Sequence, residues 1–423
     1  MVRLKELFFR VIKSPTFSTI GVMVSANMVG TILQGIGGIL QARWVTPDML
    51  GKFRSYGIAT SYLAFLMVFV QDGLMRQFPY YIGQGRKDKA IACAAVAKCW
   101  YIAFAWFLGC GFAIMAIYAL VQCDYVAAVG WGSQVILIVY GTYGTFVQTI
   151  YRRSLEFKRL SYNGLIASIY AFISLVLIKF WGYYGLALRQ TTITLIQHLL
   201  NLKYIPIRIR MKWDWQEFKD LAKISIPISI YGYIRTSLEN AVFATLAIRY
   251  CGAEGLGLFG VASSFEGVAK MFTNSLIQVF YVKMANKFGE TGSVKKSIGS
   301  FVLPTVLGAI VAIFLAVLLC GIIGPFIRIV TPKYVKAIPV VYVLSITLPL
   351  SIIAMPLDML KTALQYGRCY TLSIAKLLAM VLYIILSPHT LIHFAWACVA
   401  GWVVNIIIGY WYLYLECSRK DDV

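Results

Sequence analysis

Residues 301–320 read FVLPTVLGAIVAIFLAVLLC, an uninterrupted run of positions without a charged side chain. At about 1.5 Å per residue, a helix of this length spans about 30 Å, the thickness of the hydrocarbon core of a bilayer. A run this long and this apolar is typical of a helix that faces lipid. We therefore predict a transmembrane helix in this part of the chain.

Similar apolar stretches recur along the whole sequence. Of the 423 residues, 60% are hydrophobic and only 13% are charged. That charged fraction is about half the value usual for a soluble domain, whose surface must face water. The sequence predicts an all-α integral membrane protein of about twelve transmembrane helices. We place them near residues 16–39, 55–78, 90–119, 126–149, 161–179, 183–203, 224–247, 256–281, 297–320, 337–360, 370–387 and 393–415.

The formal charge of +22 is explained by the distribution of Lys and Arg among the connecting loops. With a cytoplasmic N-terminus, the loops on the inner side hold 25 of the 39 Lys and Arg residues, and the loops on the outer side hold 8. This asymmetry follows the positive-inside rule and predicts that both termini are cytoplasmic. The positive charge therefore indicates membrane topology, and we expect no nucleic-acid partner.

An internal repeat divides the chain into two halves. Four residues recur at an offset of 206 residues, so that Arg43 matches Arg249, Leu50 matches Leu256, Gly51 matches Gly257 and Phe53 matches Phe259. We predict two six-helix bundles, residues 1–203 and 224–423, inserted as parallel repeats around a central cleft. Residues 204–223 contain Trp213 and Trp215 among cations, a pattern typical of an amphipathic linker at the cytoplasmic membrane surface.

Charged side chains inside the predicted spans are candidate functional residues, because each costs about 2.5–3.5 kcal/mol at mid-bilayer. Three pairs have the i, i+4 spacing that places two side chains on one helix face: Asp72/Arg76, Arg235/Glu239 and Glu266/Lys270. One interpretation is an ion pair that only makes burial tolerable. The other is a helix face that looks into a hydrated cleft, where Asp72, Glu239, Glu266 or Asp358 carries a coupling proton or sodium ion.

Cations outnumber acids within the spans, so such a cleft would attract a phosphate or an acidic sugar. Lys98 and Lys376 are expected to extend to the cytoplasmic interface, and Arg189 to the outer one. Span ten contains Pro349 and Pro356, which makes it the best candidate for a hinge.

Several motifs of soluble enzymes are absent or out of context. The glycines of residues 255–260, GLGLFG, fit a dinucleotide-binding pattern but follow a membrane span, so we interpret them as shaping a surface loop. His389 and His393 have i, i+4 spacing without the glutamate of a zinc protease, and the nine Cys are scattered. With no Walker A motif and no nucleophile–base pattern, we predict no catalytic residue, no cofactor and no metal, and therefore no enzyme.

Short motifs carry a resemblance to a known family. Residues 40–53, LQARWVTPDMLGKF, resemble the segment after the first helix of the polysaccharide transporters. Residues 77–80, QFPY, and the basic loop 85–89, GRKDK, resemble the segment after the second helix of those proteins. Residues 331–337, TPKYVKA, resemble the family's loop before span ten. These transporters are a branch of the multidrug/oligosaccharidyl-lipid/polysaccharide (MOP) exporter superfamily.

The resemblance implies an O-antigen flippase of the bacterial inner membrane. Such a protein moves an undecaprenyl-pyrophosphate-linked oligosaccharide from the cytoplasmic to the periplasmic leaflet by ion-coupled alternating access. It also implies a cationic substrate cavity, for which Arg54, Arg76, Arg235 and Lys270 match by location. The implied partners are the lipid-linked oligosaccharide, membrane lipids, a polysaccharide polymerase and a chain-length regulator.

Three alternatives stay open at this point. A multidrug/cation antiporter of the same superfamily is expected to have an acidic cavity, whereas the spans here are net basic. A membrane-embedded enzyme of polysaccharide assembly usually needs large extramembrane loops or catalytic acids. A scaffold that transports nothing would not need charged helix faces inside the bilayer.

Overall fold

The computed structural model describes residues 15–154, 156–291, 298–299, 301–362 and 366–418, and every regular element in these ranges is helical. The first half contains α1 (Pro15–Trp44), α2 (Pro47–Tyr56), α3 (Ile58–Leu63), a 3-10 segment (Ala64–Phe69), α4 (Gln71–Gly83), α5 (Lys87–Val121), α6 (Tyr125–Arg153), α7 (Phe157–Ile173) and α8 (Leu175–Lys203). The second half contains α9 (Trp215–Gly232), a π-helix (Tyr233–Leu238), α10 (Glu239–Thr291), α11 (Val302–Val330), a 3-10 segment (Pro332–Ala337), α12 (Ile338–Ser345), α13 (Thr347–Ile353), a 3-10 segment (Met355–Asp358), α14 (Met359–Thr362), α15 (Tyr366–Leu386) and α16 (Leu391–Ser418).

The predicted all-α membrane fold class is confirmed. Eight continuous helical stretches of the described chain are long and apolar enough to cross a bilayer, or nine if α7 and α8, bent by 70°, form one broken span. Some of these stretches exceed one crossing. Gly182 (φ 53°) interrupts α8 and Gly252 (φ 68°) interrupts α10, close to the predicted boundaries between spans five and six and between spans seven and eight. Glycine is favoured at both breaks because positive φ strains other residues. The number twelve stays a prediction.

The described chain divides into two compact units. The N-terminal unit comprises Met1–Val45 and Leu63–Ser229, and the C-terminal unit comprises Thr46–Tyr62 and Ile230–Val423. The division of the sequence into residues 1–203, 204–223 and 224–423 did not anticipate that 46–62 belongs with the second unit. The termini that carry Arg3 and Lys420 lie outside the described residues.

Capping side chains fix where two helices begin. Asp124 accepts a hydrogen bond from the backbone N–H of Ala127 at 2.9 Å, at the start of α6. Asp214 accepts from the backbone N–H groups of Gln216 and Glu217 at 2.9 and 3.1 Å, at the start of α9. These oxygens satisfy N–H groups that have no partner within the first turn of a helix. Asp214 thereby ends the non-helical part of the linker.

The predicted linker packs on its own unit through aromatic rings. Trp213 lies 6.5 Å from Trp100 and 5.1 Å from Phe218, measured between ring centroids. Trp215 keeps 57% of its surface exposed, which suits a side chain at a membrane interface. Lys98 donates to the backbone carbonyl of Ile209 in this linker at 2.8 Å. The prediction that Lys98 extends to the cytoplasmic interface stays a prediction.

The repeat has a structural counterpart where α2 crosses α10 within the C-terminal unit. A Cβ atom on Gly51 would lie 1.7 Å from the carbonyl oxygen of Ala253 and 3.0 Å from the amide nitrogen of Gly257. A Cβ atom on Gly257 would lie 1.9 Å from the carbonyl oxygen of Pro47 and 3.1 Å from the amide nitrogen of Gly51. Pro47 and Ala253 are related by the same sequence offset as the two glycines. The matched positions therefore meet in a reciprocal, locally two-fold crossing that only glycine permits.

Candidate functional site

A charged cavity of about 250 Å³ lies inside the C-terminal unit. Its lining includes Arg235 and Glu239 from the π-helix and the start of α10, Lys270 farther along α10, Asp358 from a 3-10 segment, and Lys376 from α15. Short helical pieces around residues 346–358 bring Asp358 to this position. Span ten contains two breaks, near Ile346 and Ala354, rather than one continuous helix.

Arg235 does not pair with Glu239 as the i, i+4 spacing predicted. Its guanidinium lies 3.7 Å from the Asp358 carboxylate and donates to the Tyr231 hydroxyl at 2.9 Å. Arg235 lies within the π-helix Tyr233–Leu238, and Glu239 is the first residue of α10.

Glu239 pairs instead with Lys376, across a sequence separation of 137 residues, at 2.7 Å. The Lys376 ammonium also lies 4.5 Å from the centroid of the Trp402 ring, within the range of a cation–π contact. Only 11% of the Lys376 side chain and 17% of the Glu239 side chain are exposed. The prediction that Lys376 extends to the cytoplasmic interface is therefore wrong, because a buried carboxylate and an aromatic face hold its charge inside the unit.

The predicted Glu266/Lys270 pair is confirmed, with 2.6 Å between its charged atoms. Glu266 is buried, and its carboxylate also accepts a hydrogen bond from the hydroxyl of Thr347. In and beside this cavity the described residues therefore offer three cations, each matched to its own carboxylate. A buried charge needs such a partner, since an unpaired one is strongly unfavourable in a low-dielectric interior.

Arg54 differs from these paired cations. It lies near the end of α2 in the C-terminal unit, is exposed, and has no ion pair among the described residues. Its guanidinium rests against Gly260, where a Cβ atom would lie 1.4 Å from Nη1. The interpretation of residues 255–260 as a surface loop is wrong, because these residues are helical within α10. The absence of a side chain at Gly257 lets α2 approach α10 closely, and its absence at Gly260 leaves space for the Arg54 guanidinium.

The N-terminal unit holds the remaining two predicted residues, Asp72 and Arg76, on α4. Asp72 does not pair with Arg76. Its carboxylate accepts a hydrogen bond from the Ser229 hydroxyl at 2.7 Å, and the backbone N–H of Gly73 donates to Ser225 at 3.0 Å. Arg76 is exposed and has no ion pair in the part of the chain that the structure describes.

Arg189 is held by two hydrogen bonds, because its Nε donates to the carbonyl of Ala171 at 3.0 Å and its Nη1 to the side chain of Gln41 at 3.1 Å. That it extends to the outer interface stays a prediction. Of the eight candidate residues, Arg235, Lys270, Glu239 and Asp358 line one cavity, and Glu266 contacts Lys270 beside it. The sequence did not single out Tyr231, Trp402, Asn274 or Asn405, which line the same cavity. Their only signal was a polar or aromatic residue within an apolar span.

The structure resembles solved transporters of one superfamily. An inward-facing multidrug resistance MATE family transporter of the MOP superfamily has a TM-score of 0.70 at 13% identity, covering 95% of this chain and 99% of that one. An outward-facing transporter of the same family has a TM-score of 0.62 at 15% identity, covering 98% of each chain. At these identities the likeness concerns the fold.

A third solved structure is a MOP superfamily transporter from Pyrococcus furiosus, for which reverse polarity of the binding pocket suggests a different function. It has a TM-score of 0.64 at 14% identity and covers 97% of each chain. A search of curated protein sequences finds no match.

One family profile, described as polysaccharide biosynthesis protein, matches residues 40–312, which is more than half of the chain. The match includes α2 with Arg54, the π-helix with Arg235, and the part of α10 that carries Gly257, Gly260 and Lys270. The chain therefore belongs to the polysaccharide biosynthesis protein family, and its fold is similar to that of solved MOP superfamily transporters.

Proposed function

We propose that this protein is a membrane transporter, a flippase for an undecaprenyl-pyrophosphate-linked oligosaccharide. It moves the repeat unit of an O-antigen or a similar surface polysaccharide from the cytoplasmic to the periplasmic leaflet. Its place is the bacterial inner membrane, with both termini in the cytoplasm, and its partners are membrane lipids, a polysaccharide polymerase and a chain-length regulator. The family match supports the polysaccharide, and the excess of positive charge within the spans supports an anionic headgroup.

The observation that carries the proposal is that Arg54 and Arg76 lack carboxylate partners among the described residues, whereas the cations of the charged cavity are neutralised. A planar guanidinium donates two parallel hydrogen bonds to a phosphate, so an unpaired arginine is a suitable ligand for a pyrophosphate. Each arginine serves as a phosphate ligand within its own unit.

The charged cavity supplies the means of ion coupling. Arg235 and Asp358 form its loosest pair, at 3.7 Å, and 41% of the Arg235 side chain is exposed. A proton or sodium ion bound by Asp358 neutralises its carboxylate and releases Arg235 to bind phosphate. Glu239 with Lys376 and Glu266 with Lys270 offer the same exchange in more enclosed surroundings. Asp72 holds a serine hydroxyl rather than a cation, which makes it the fourth candidate for the coupling ion.

Surface polysaccharide tests this function. In cells that lack the native gene, Arg76→Ala and Arg235→Ala variants should fail to restore surface polymer although they reach the membrane at normal levels. Arg152→Ala is the matched control, because Arg152 is exposed at the cytoplasmic end of α6, outside both candidate sites. Full surface polymer in both variants would remove these arginines from the site.

Transport by purified protein separates this function from the alternative of a multidrug/cation antiporter. Proteoliposomes should accelerate the flipping of a fluorescent lipid-linked oligosaccharide and should not expel a cationic dye in exchange for protons or sodium. Dye exchange without lipid flipping is the outcome expected of the antiporter and contradicts the proposal.

A further inference from the structure

A second polar cavity, of about 470 Å³, lies inside the N-terminal unit between α1, α7 and α8. Its volume falls within the range of about 300–1,000 Å³ that is usual for sites binding small molecules. Three of its lining residues, Gly30, Gly164 and Ala167, have no side chain or only a methyl group and so leave space for a ligand. None of the residues that line it belongs to the charged cavity described above.

The lining of this cavity is rich in amides and includes one cation. Gln34 on α1 and Gln190 and Gln197 on α8 contribute three carboxamides. Gln190 and Gln197 are seven residues apart, which is about two helical turns and places both on one face. Ser168 and Arg189 add a hydroxyl and a guanidinium, and no carboxylate lines the cavity in the described part of the chain.

These carboxamides have no hydrogen-bond partner among the described residues, although they lie on helices that we assign to the bilayer. A carboxamide without a partner in an apolar medium costs several kcal/mol, so this face must meet water or a polar ligand. Arg189 is held by Ala171 and Gln41 and also lines the cavity. A carboxamide offers both donors and an acceptor, the combination that matches the hydroxyl groups of a sugar.

We propose that this cavity is a saccharide subsite, in which Gln34, Gln190 and Gln197 bind the hydroxyl groups of the transported oligosaccharide. The inference rests on the proposed function and extends it, because it separates recognition of sugar from recognition of phosphate. The carboxamides bind neutral hydroxyls, Arg189 accommodates an acidic sugar, and the pyrophosphate is left to the unpaired arginines. Substrate choice among different repeat units then depends on the lining of this cavity.

Binding to two lipids tests the subsite. The full-length protein in nanodiscs is titrated with the lipid-linked oligosaccharide extracted from the source cells and with undecaprenyl pyrophosphate without sugar. The wild-type protein should bind the sugar-bearing lipid more tightly. A Gln190→Leu/Gln197→Leu variant should lose about tenfold in affinity for that lipid, the effect of about two hydrogen bonds, and keep its affinity for the sugarless lipid.

Gln148→Leu is the matched control, because Gln148 is a partly buried glutamine of α6 in the same unit that does not line the cavity. It should change neither affinity. Equal binding of both lipids by the wild-type protein, or an unchanged preference in the double variant, overturns the saccharide subsite and leaves the flippase standing. If the wild-type protein binds neither lipid, the proposed function fails together with the subsite.

Discussion

Gly51→Ala adds one methyl group at the crossing of α2 and α10, where the structure leaves no room for it. The new Cβ atom would lie 1.7 Å from the backbone carbonyl oxygen of Ala253. The closest tolerated contact between a carbon atom and a carbonyl oxygen is about 3.3 Å, so the two helices must separate by about 1.6 Å. Backbone cannot rotate away as a side chain can, and the helices move as rigid bodies.

The expected loss of stability is large for one methyl group. Overpacking a tight site costs about 1–3 kcal/mol and sometimes more, and a displaced helix pair belongs at the upper end of that range. For a chain of this size we expect the midpoint of thermal unfolding in detergent to fall by roughly 5 °C. The measurement is the loss of the monodisperse peak in size-exclusion chromatography after heating to a series of temperatures.

The reciprocal geometry of the crossing makes the prediction sharper. Gly257→Ala should cost about as much as Gly51→Ala, because its Cβ atom would lie 1.9 Å from the carbonyl oxygen of Pro47. Once either substitution has separated the helices, the second meets less resistance, so the double variant should lose less than the sum of the two. Gly267→Ala is the matched control on α10, since no atom lies within 4 Å of its Cβ position. Additive losses, or a Gly51→Ala protein as stable as the Gly267→Ala protein, would refute the reasoning.

Gly260→Ala should leave thermal stability near the wild-type value, because the new methyl group displaces the flexible guanidinium of Arg54 rather than backbone. It should nevertheless reduce flipping of a lipid-linked oligosaccharide in proteoliposomes as strongly as Arg54→Ala does. Wild-type flipping by Gly260→Ala would show that the position of Arg54 does not matter. Lys376→Met should lower thermal stability by about 2 kcal/mol or more, since it leaves the carboxylate of Glu239 without its cation, and adding Glu239→Gln should recover most of that loss. A double variant less stable than Lys376→Met alone would contradict the pairing, as a denaturation series on the purified proteins can show.

The apolar spans, the charge asymmetry and the repeat were readable from the sequence because each depends on composition or on a constant offset along the chain. Of the three i, i+4 pairs, the spacing predicted one correctly. Glu266 and Lys270 lie on an uninterrupted turn and do pair. Arg235 and Glu239 pair instead with Asp358 and Lys376, so i, i+4 spacing predicted the wrong partner for both.

The i, i+4 spacing of charged residues cannot predict partners that are distant in the sequence. Lys376 and Glu239 are 137 residues apart, and nothing local to either residue identifies the other. Asp72 likewise binds the hydroxyl of Ser229, which lies 157 residues away. The amide-rich cavity left a weak signal in Gln190 and Gln197, two glutamines seven apart in an apolar span. An amide side chain within a span is a weaker sequence signal than a charged one, although an amide without a hydrogen-bond partner is also unfavourable in a bilayer.

The pattern of pairing divides the cations into two groups with different consequences for an anionic substrate. A phosphate that approaches Arg235 or Lys376 competes with a carboxylate already in contact with that cation. Its net binding free energy there is therefore only the difference between two similar electrostatic attractions. Arg54 and Arg76 have no ion pair to give up among the described residues, and a phosphate gains the full charge-assisted hydrogen bonds there. Affinity should therefore depend mainly on the unpaired arginines. If the proposed coupling ion neutralises their carboxylates, the paired cations become available to the substrate, and ion occupancy should change the free energy of substrate binding by about 1–3 kcal/mol, as is typical of coupled sites.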